Sequence, residues 1–155
     1  MNHPTGITVD LAGNLYISDS GNNLIRVVNH SSGIITTVAG VVGASGGYNG
    51  DNVAATQATL NFPAGIAVHF AGQVYFSDRD NNRIRRISKA GIISTLSGNG
   101  TAGFVGDGDV ASLAELRSPV GMVLDHEGNL YVEDSGNNAV RVISKGLNFP
   151  AVEIG

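Results

Sequence analysis

Three Asp–Arg pairs at a single spacing are the first residues in this sequence that could do chemistry. Asp19, Asp78 and Asp134 each stand seven residues before an Arg: Arg26, Arg85 and Arg141. Three carboxylates could form a metal or acid/base set. They could equally be three copies of one structural device, each Asp holding the turn that follows and each Arg bridging back from the next strand. A catalytic group is needed once, whereas these recur, and recurrence favours the structural reading.

Other sets carry less. Asp78-Arg79-Asp80-Asn81-Asn82 opens like a calcium loop, but its sixth and twelfth positions hold Arg83 and Lys89, which excludes an EF-hand. Asp107 and Asp109 are the remaining candidates for calcium or another divalent metal, helix capping being the commoner use of such a cluster. Gly98–Gly103 matches GxGxxG, yet no helix opens directly from it, so it does not make a dinucleotide cradle. His3, His30, His69 and His126 show no metal-ligand spacing, and no Ser has a visible His and Asp triad. With no Cys, disulfides and thiolate chemistry are absent. Net charge −4 argues against nucleic acid as the main partner, although Arg83, Arg85 and Arg86 form a local basic cluster. No apolar run reaches membrane-spanning length, and Met1 leads straight into patterned sequence without a signal peptide. A soluble chain of unassigned compartment is expected.

The elements that position these residues follow from a repeat. Pro4–Val28, Pro63–Ile87 and Pro119–Ile143 align without a gap and begin 59 and 56 residues apart. Each divides into short apolar strands split by Gly and Asn turns: Gly6–Asp10, Leu15–Ser18, Leu24–Val28 and Ile34–Val38 in the first copy. The second copy ends with Ile92–Leu96, and Ala151–Ile154 is expected as the fourth strand of the third. The strands are nearly continuous apolar runs, which implies sheets covered on both faces. Small four-stranded antiparallel sheets covered by copies of themselves are β-propeller blades, here spanning 4–40, 63–98 and 119–155 of a single repeat domain. The crossovers, 41–62 and 99–118, contain two related insertions, and an Asp or Asn ahead of an Ala-rich stretch predicts a capped helix of about two turns in each.

The pattern P-x-G-[IM]-x-[VL]…G-[NQ]-[LV]-Y-[IFV]-x-D-x-x-N-N-x-[IV]-R resembles the NHL repeat of six-bladed propellers. The resemblance implies half a ring, and it spans functions from RNA and protein binding to a few lyases and lactonases. What departs from the repeat is therefore the guide to function. The middle copy replaces Ser20, Gly21 and Leu24 by Arg79, Asp80 and Arg83, candidate ligand-binding residues on the face where the insertions emerge. Glu133 replaces Ser18 and Ser77 on the face a neighbouring blade approaches, a candidate seam. Three blades cannot close, so a homodimer is expected to complete a six-bladed ring. The absence of a catalytic constellation favours a non-enzymatic scaffold for a protein, peptide or glycan. The alternative is a metal-dependent hydrolase or lyase acting in the central channel.

Overall fold

The structure is a computed structural model and describes residues 1–144. Its strands are β1 (Pro4–Val9), β2 (Leu15–Asp19), β3 (Leu24–Val28), β4 (Ile35–Ala39), β5 (Pro63–Val68), β6 (Val74–Asp78), β7 (Arg83–Ile87), β8 (Ile93–Ser97), β9 (Met122–Leu124), β10 (Leu130–Asp134) and β11 (Ala139–Ile143). They form three antiparallel meanders: β1-β2-β3-β4, β5-β6-β7-β8 and β9-β10-β11. The outer strand expected at Ala151–Ile154 lies outside the described residues. Several strands begin or end one or two residues from their expected limits, because the Asp after each Ser continues its ladder: Asp19 pairs with Leu24, and Asp78 with Arg83.

Each second-to-third turn is a single 3-10 turn closed by an Asn in the left-handed region. Asn23, Asn82 and Asn138 have φ of 56°, 51° and 53°, a conformation that Asn tolerates better than most residues. The first Asn of each Asn-Asn pair instead donates to the Asp that starts the turn.

The blades meet in two apolar clusters. One joins Ile25 and Ala39 of blade one to Ile66, Phe76, Ile87 and Ile93 of blade two. The other joins Ala67, Ile84 and Leu96 of blade two to Leu130, Val132 and Ile143 of blade three. The insertions belong to this core. Ala55, Ala58 and Leu60 are buried in the first cluster, and Ala111, Ala114 and Leu116 in the second. Only one 3-10 turn forms in each, at Ala55–Gln57 and Ala111–Leu113, and no side chain caps it. The expected two-turn helix is therefore wrong. The alanines are there to let the chain wedge between blades, where a helix would be too wide.

Candidate recognition surface

Each repeated Asp fastens its blade's turn to the chain entering that blade. Asp19 accepts from Asn2 N, Asp78 from Asn61 N and Asp134 from Arg117 N, each at 2.7 Å. The bond expected to the backbone of the following turn is replaced by this longer reach, 17 residues back along the chain. Burial pushes the Asp78 and Asp134 carboxyls above their ordinary range, against the lowering effect of these hydrogen bonds.

The Arg residues behave differently from copy to copy. Arg85 Nη1 donates to Asp78 at 3.2 Å, and its Nη2 donates to Asp51 Oδ1 and to the Gly50 carbonyl, both at 2.9 Å. Arg141 Nη1 lies 3.7 Å from Asp134, while its Nε and Nη2 reach Asp107 at 2.9 and 2.6 Å. The stronger partner of each Arg is thus an insertion Asp, absent from the seven-residue spacing. No ion pair joins Arg26 to Asp19 among the described residues. That expected pair does not form; Asp19 instead accepts from Asn2 N and from Asn22 Nδ2.

Aromatic rings complete these clamps. Tyr48 lies 3.8 Å below the Arg83 guanidinium and 4.9 Å from that of Arg85, and Phe104 lies 5.4 Å from Arg141. Arg83 also donates to the Asn81 and Asn99 carbonyls at 2.9 Å. It is drawn into the junction between blades. Asp107 is similarly committed to Arg141, while Asp109 is exposed. No group of three His, Cys, Asp or Glu able to hold a metal occurs among the described residues.

Arg79 and Asp80 remain outward. Their side chains are 38% and 43% exposed and 3.8 Å apart, and Arg79 lies over the Phe62 ring at 5.2 Å. The turn beneath them is fastened at both sides, by Asp80 N to the Asn61 carbonyl and by Asn81 Nδ2 to the Gly47 carbonyl. Glu133 lies on the open face of blade three, its carboxylate accepting from Gly121 N at 3.3 Å. At the equivalent seam between blades two and three, Ser77 Oγ accepts from Gly65 N and donates to the Val120 carbonyl, each at 2.8 Å.

Elsewhere, a cavity of about 280 Å³ between blades two and three is lined by His69, Gln73, Tyr75 and Arg86. Sequence reasoning passed over it. The signal lay in the repeat itself, where blades one and three carry Asp, Asn and Val in place of His69, Gln73 and Arg86.

With three meanders of one repeated geometry in view, comparison with known proteins is decisive. Residues 1–28 and 116–143 match the NHL repeat, and residues 45–104 match the teneurin NHL domain. The chain belongs to the NHL-repeat family. It is 30% identical over 151 residues to Protein SUPPRESSOR OF QUENCHING 1, chloroplastic, of Arabidopsis thaliana, spanning 90% of this chain and 14% of that one. It is 32% identical over 104 residues to Teneurin-1 of Mus musculus, spanning 59% of this chain and 4% of that one. The NHL chain thus spans only a small part of these relatives. Among solved structures, an auxiliary nutrient binding protein from Bacteroides thetaiotaomicron superposes with a TM-score of 0.75 at 26% identity, over 89% of this chain and 36% of that one. Virginiamycin B lyase from Staphylococcus aureus superposes at 0.62 and 21% identity, over 97% of this chain and 41% of that one, a likeness of fold alone.

Proposed function

We propose that this NHL propeller is a non-enzymatic scaffold that binds a protein, peptide or glycan around the Arg79–Asp80 turn. We further propose that two copies close a six-bladed ring. The observation that carries the first reading is the middle turn. It alone of the three 3-10 turns between second and third strands carries charge, where its counterparts hold Ser20-Gly21 and Ser135-Gly136. Two exposed charges on a fastened base lose little freedom when a ligand binds, which is the condition for a hot spot. Arg83, held on Tyr48, supports that base from below. Likeness to a nutrient binding protein fits a binding role.

The second reading rests on the two end faces. Ile7 is 69% exposed where its blade-two counterpart Ile66 is 6%, and Val123 is 60% exposed where Ala67 is 7%. A second copy sets blade three against blade one, covering both and enclosing Glu133 at the seam.

Glycan and peptide arrays probed with the parent protein and with Arg79→Ser test the binding reading. Ligands held by the parent should weaken by about 1–2 kcal/mol or more in the variant; identical profiles would remove the turn from the site. Metal analysis of the purified protein addresses the rival. A stoichiometric divalent ion near the ring axis would favour the hydrolase or lyase.

A further inference from the structure

The corner between first and second strands has one construction in blades one and three, and the middle blade abandons it. In blade one Asp10 accepts from Ala12 N, Asn14 N and Asn14 Nδ2. In blade three Asp125 accepts from Glu127 N, Asn129 N and Asn129 Nδ2. Blade two holds His69 and Gln73 at these places. His69 Nδ1 accepts from Ala71 N at 3.1 Å, and the Gln73 side chain takes no part in the corner. Its Oε1 is buried without a hydrogen-bond partner. Arg86, opposite Tyr75 in the ladder, stands where the other copies have Val27 and Val142.

All three departures line the cavity of about 280 Å³ between blades two and three. It lies toward the end of the strands opposite the Arg79–Asp80 turn, because the β5–β6 corner and the β6–β7 turn stand at opposite ends of β6. Leu96, Leu124 and Leu130 give it apolar walls. Arg86 brings a guanidinium that joins none of the ion pairs among the described residues. With Nδ1 accepting, the His69 ring is neutral and carries its proton on Nε2. That nitrogen faces Gly128 across the cavity, 3.5 Å from where a Cβ would stand. Burial raises the Tyr75 hydroxyl against the pull of Arg86, so it stays a donor. No described lining residue is acidic.

These walls suit a small anion that also carries a donor. A ligand carboxylate answers Arg86, and a ligand hydroxyl answers the orphaned Gln73 Oε1. An ammonium group would find no carboxylate to pair with. The volume is at the lower limit of ordinary ligand sites, so the two polar groups must be near neighbours on the ligand. We propose that this cavity binds a small α-hydroxy carboxylate with a branched apolar tail. The carboxylate accepts from Arg86 and His69 Nε2, the hydroxyl donates to Gln73 Oε1, and the tail packs on the leucines. The site is separate from the Arg79–Asp80 turn and needs no second copy, since both walls belong to one chain.

The test titrates ¹⁵N-labelled full chain with α-hydroxyisocaproate. Saturable shift changes are expected at His69, Gln73 and Gly128. Isocaproate, which lacks the hydroxyl, and α-hydroxyisocaproamide, which lacks the charge, should each bind about tenfold more weakly or worse. Arg86→Val should weaken α-hydroxyisocaproate by about tenfold or more, while Arg79→Ser leaves it unchanged. No saturable change at millimolar ligand, changes mapping elsewhere, or equal binding of the amide or of free leucine would overturn the proposal. Nuclear Overhauser contacts from His69 or Arg86 to residues 145–155 would also overturn it, since the chain itself would then fill the cavity. A measurement independent of any ligand is the thermal midpoint of the triple variant His69→Asp, Gln73→Asn, Arg86→Val, which restores the residue types of blade one. It should rise by a few degrees, because the corner clasp returns and the buried orphan is removed. A fall would show that the three residues serve packing rather than a ligand.

Discussion

Two Arg residues of the middle blade do different jobs, and stability measurements should separate them. Arg85 is fully buried between Asp78 and Asp51. Removing it strands the Asp78 carboxylate in the core, so Arg85→Ala should cost about 3–5 kcal/mol, read as a lower urea midpoint. The outcome that would deny this role is a midpoint within error of the parent. Arg79 makes only the half-exposed pair with Asp80 and the contact with Phe62. Arg79→Ser restores the residue found at Ser20 and Ser135, and stability should stay within about 0.5 kcal/mol. If that change unfolds the chain, the structural and recognition Arg residues have been exchanged.

The elements are joined by close approach of backbone and by carboxylate-held corners. Gly65 N donates to the Val120 carbonyl at 2.9 Å, bringing β5 against the chain leading into β9. A Cβ at Gly65 would run into that carbonyl oxygen, so Gly65→Ala should cost about 1–3 kcal/mol by overpacking. Its control is Gly91→Ala, which meets no atom within 4 Å but sits at φ +75°; its cost of about 1 kcal/mol should come from backbone strain alone. The first-to-second corners of blades one and three are held by Asp10 and Asp125. Burial acts to raise Asp10, but bonds from Asn14 and Ala12 outweigh it and hold the carboxyl below 3.8. The Asn129 side chain leads in lowering Asp125. A carboxyl lowered on folding contributes stability above its unfolded value and loses it as pH falls through the folded one. Amide protection at Ala12, Asn14, Glu127 and Asn129 should therefore decline on acidification below 3.8. Asp78 and Asp134 run the opposite way, since burial raises them; their contribution is complete at low pH and is lost as pH rises through the folded values. Protection at the corners that survives acidification would rule out the carboxylate as the corner's clasp.

At the scale of the whole molecule, the middle blade shows what the outer two lack. Ile84 is fully buried against blade three, whereas its counterpart Val140 is 40% exposed on blade three's open face. Closure with a second copy would bury Val123 and Val140 against Ile7 and Val9. Light scattering during size exclusion should then give twice the 15.9 kDa chain mass, and Val123→Lys should shift it to the monomer by placing an unpaired charge in the seam. A monomer at micromolar concentration for the parent would end the dimer reading.

Architecture was legible in the sequence because a repeat states its strand spacing three times, and an apolar run flanked by Asn and Gly turns leaves few alternatives. The Asp, Asn-Asn and Pro-x-Gly positions followed from the same alignment, since each recurs at one spacing in every copy. Tertiary structure alone decided where the Arg residues spend their charge. Asp51 and Asp107 lie 34 residues before the Arg they engage, a separation across which spacing carries no information until the insertion folds against the next blade. The insertions looked helical because local composition favours a helix, and they are extended wedges because packing between two sheets overrides propensity. Arg26 has the same sequence context as Arg85 and Arg141, yet only those two join ion pairs among the described residues.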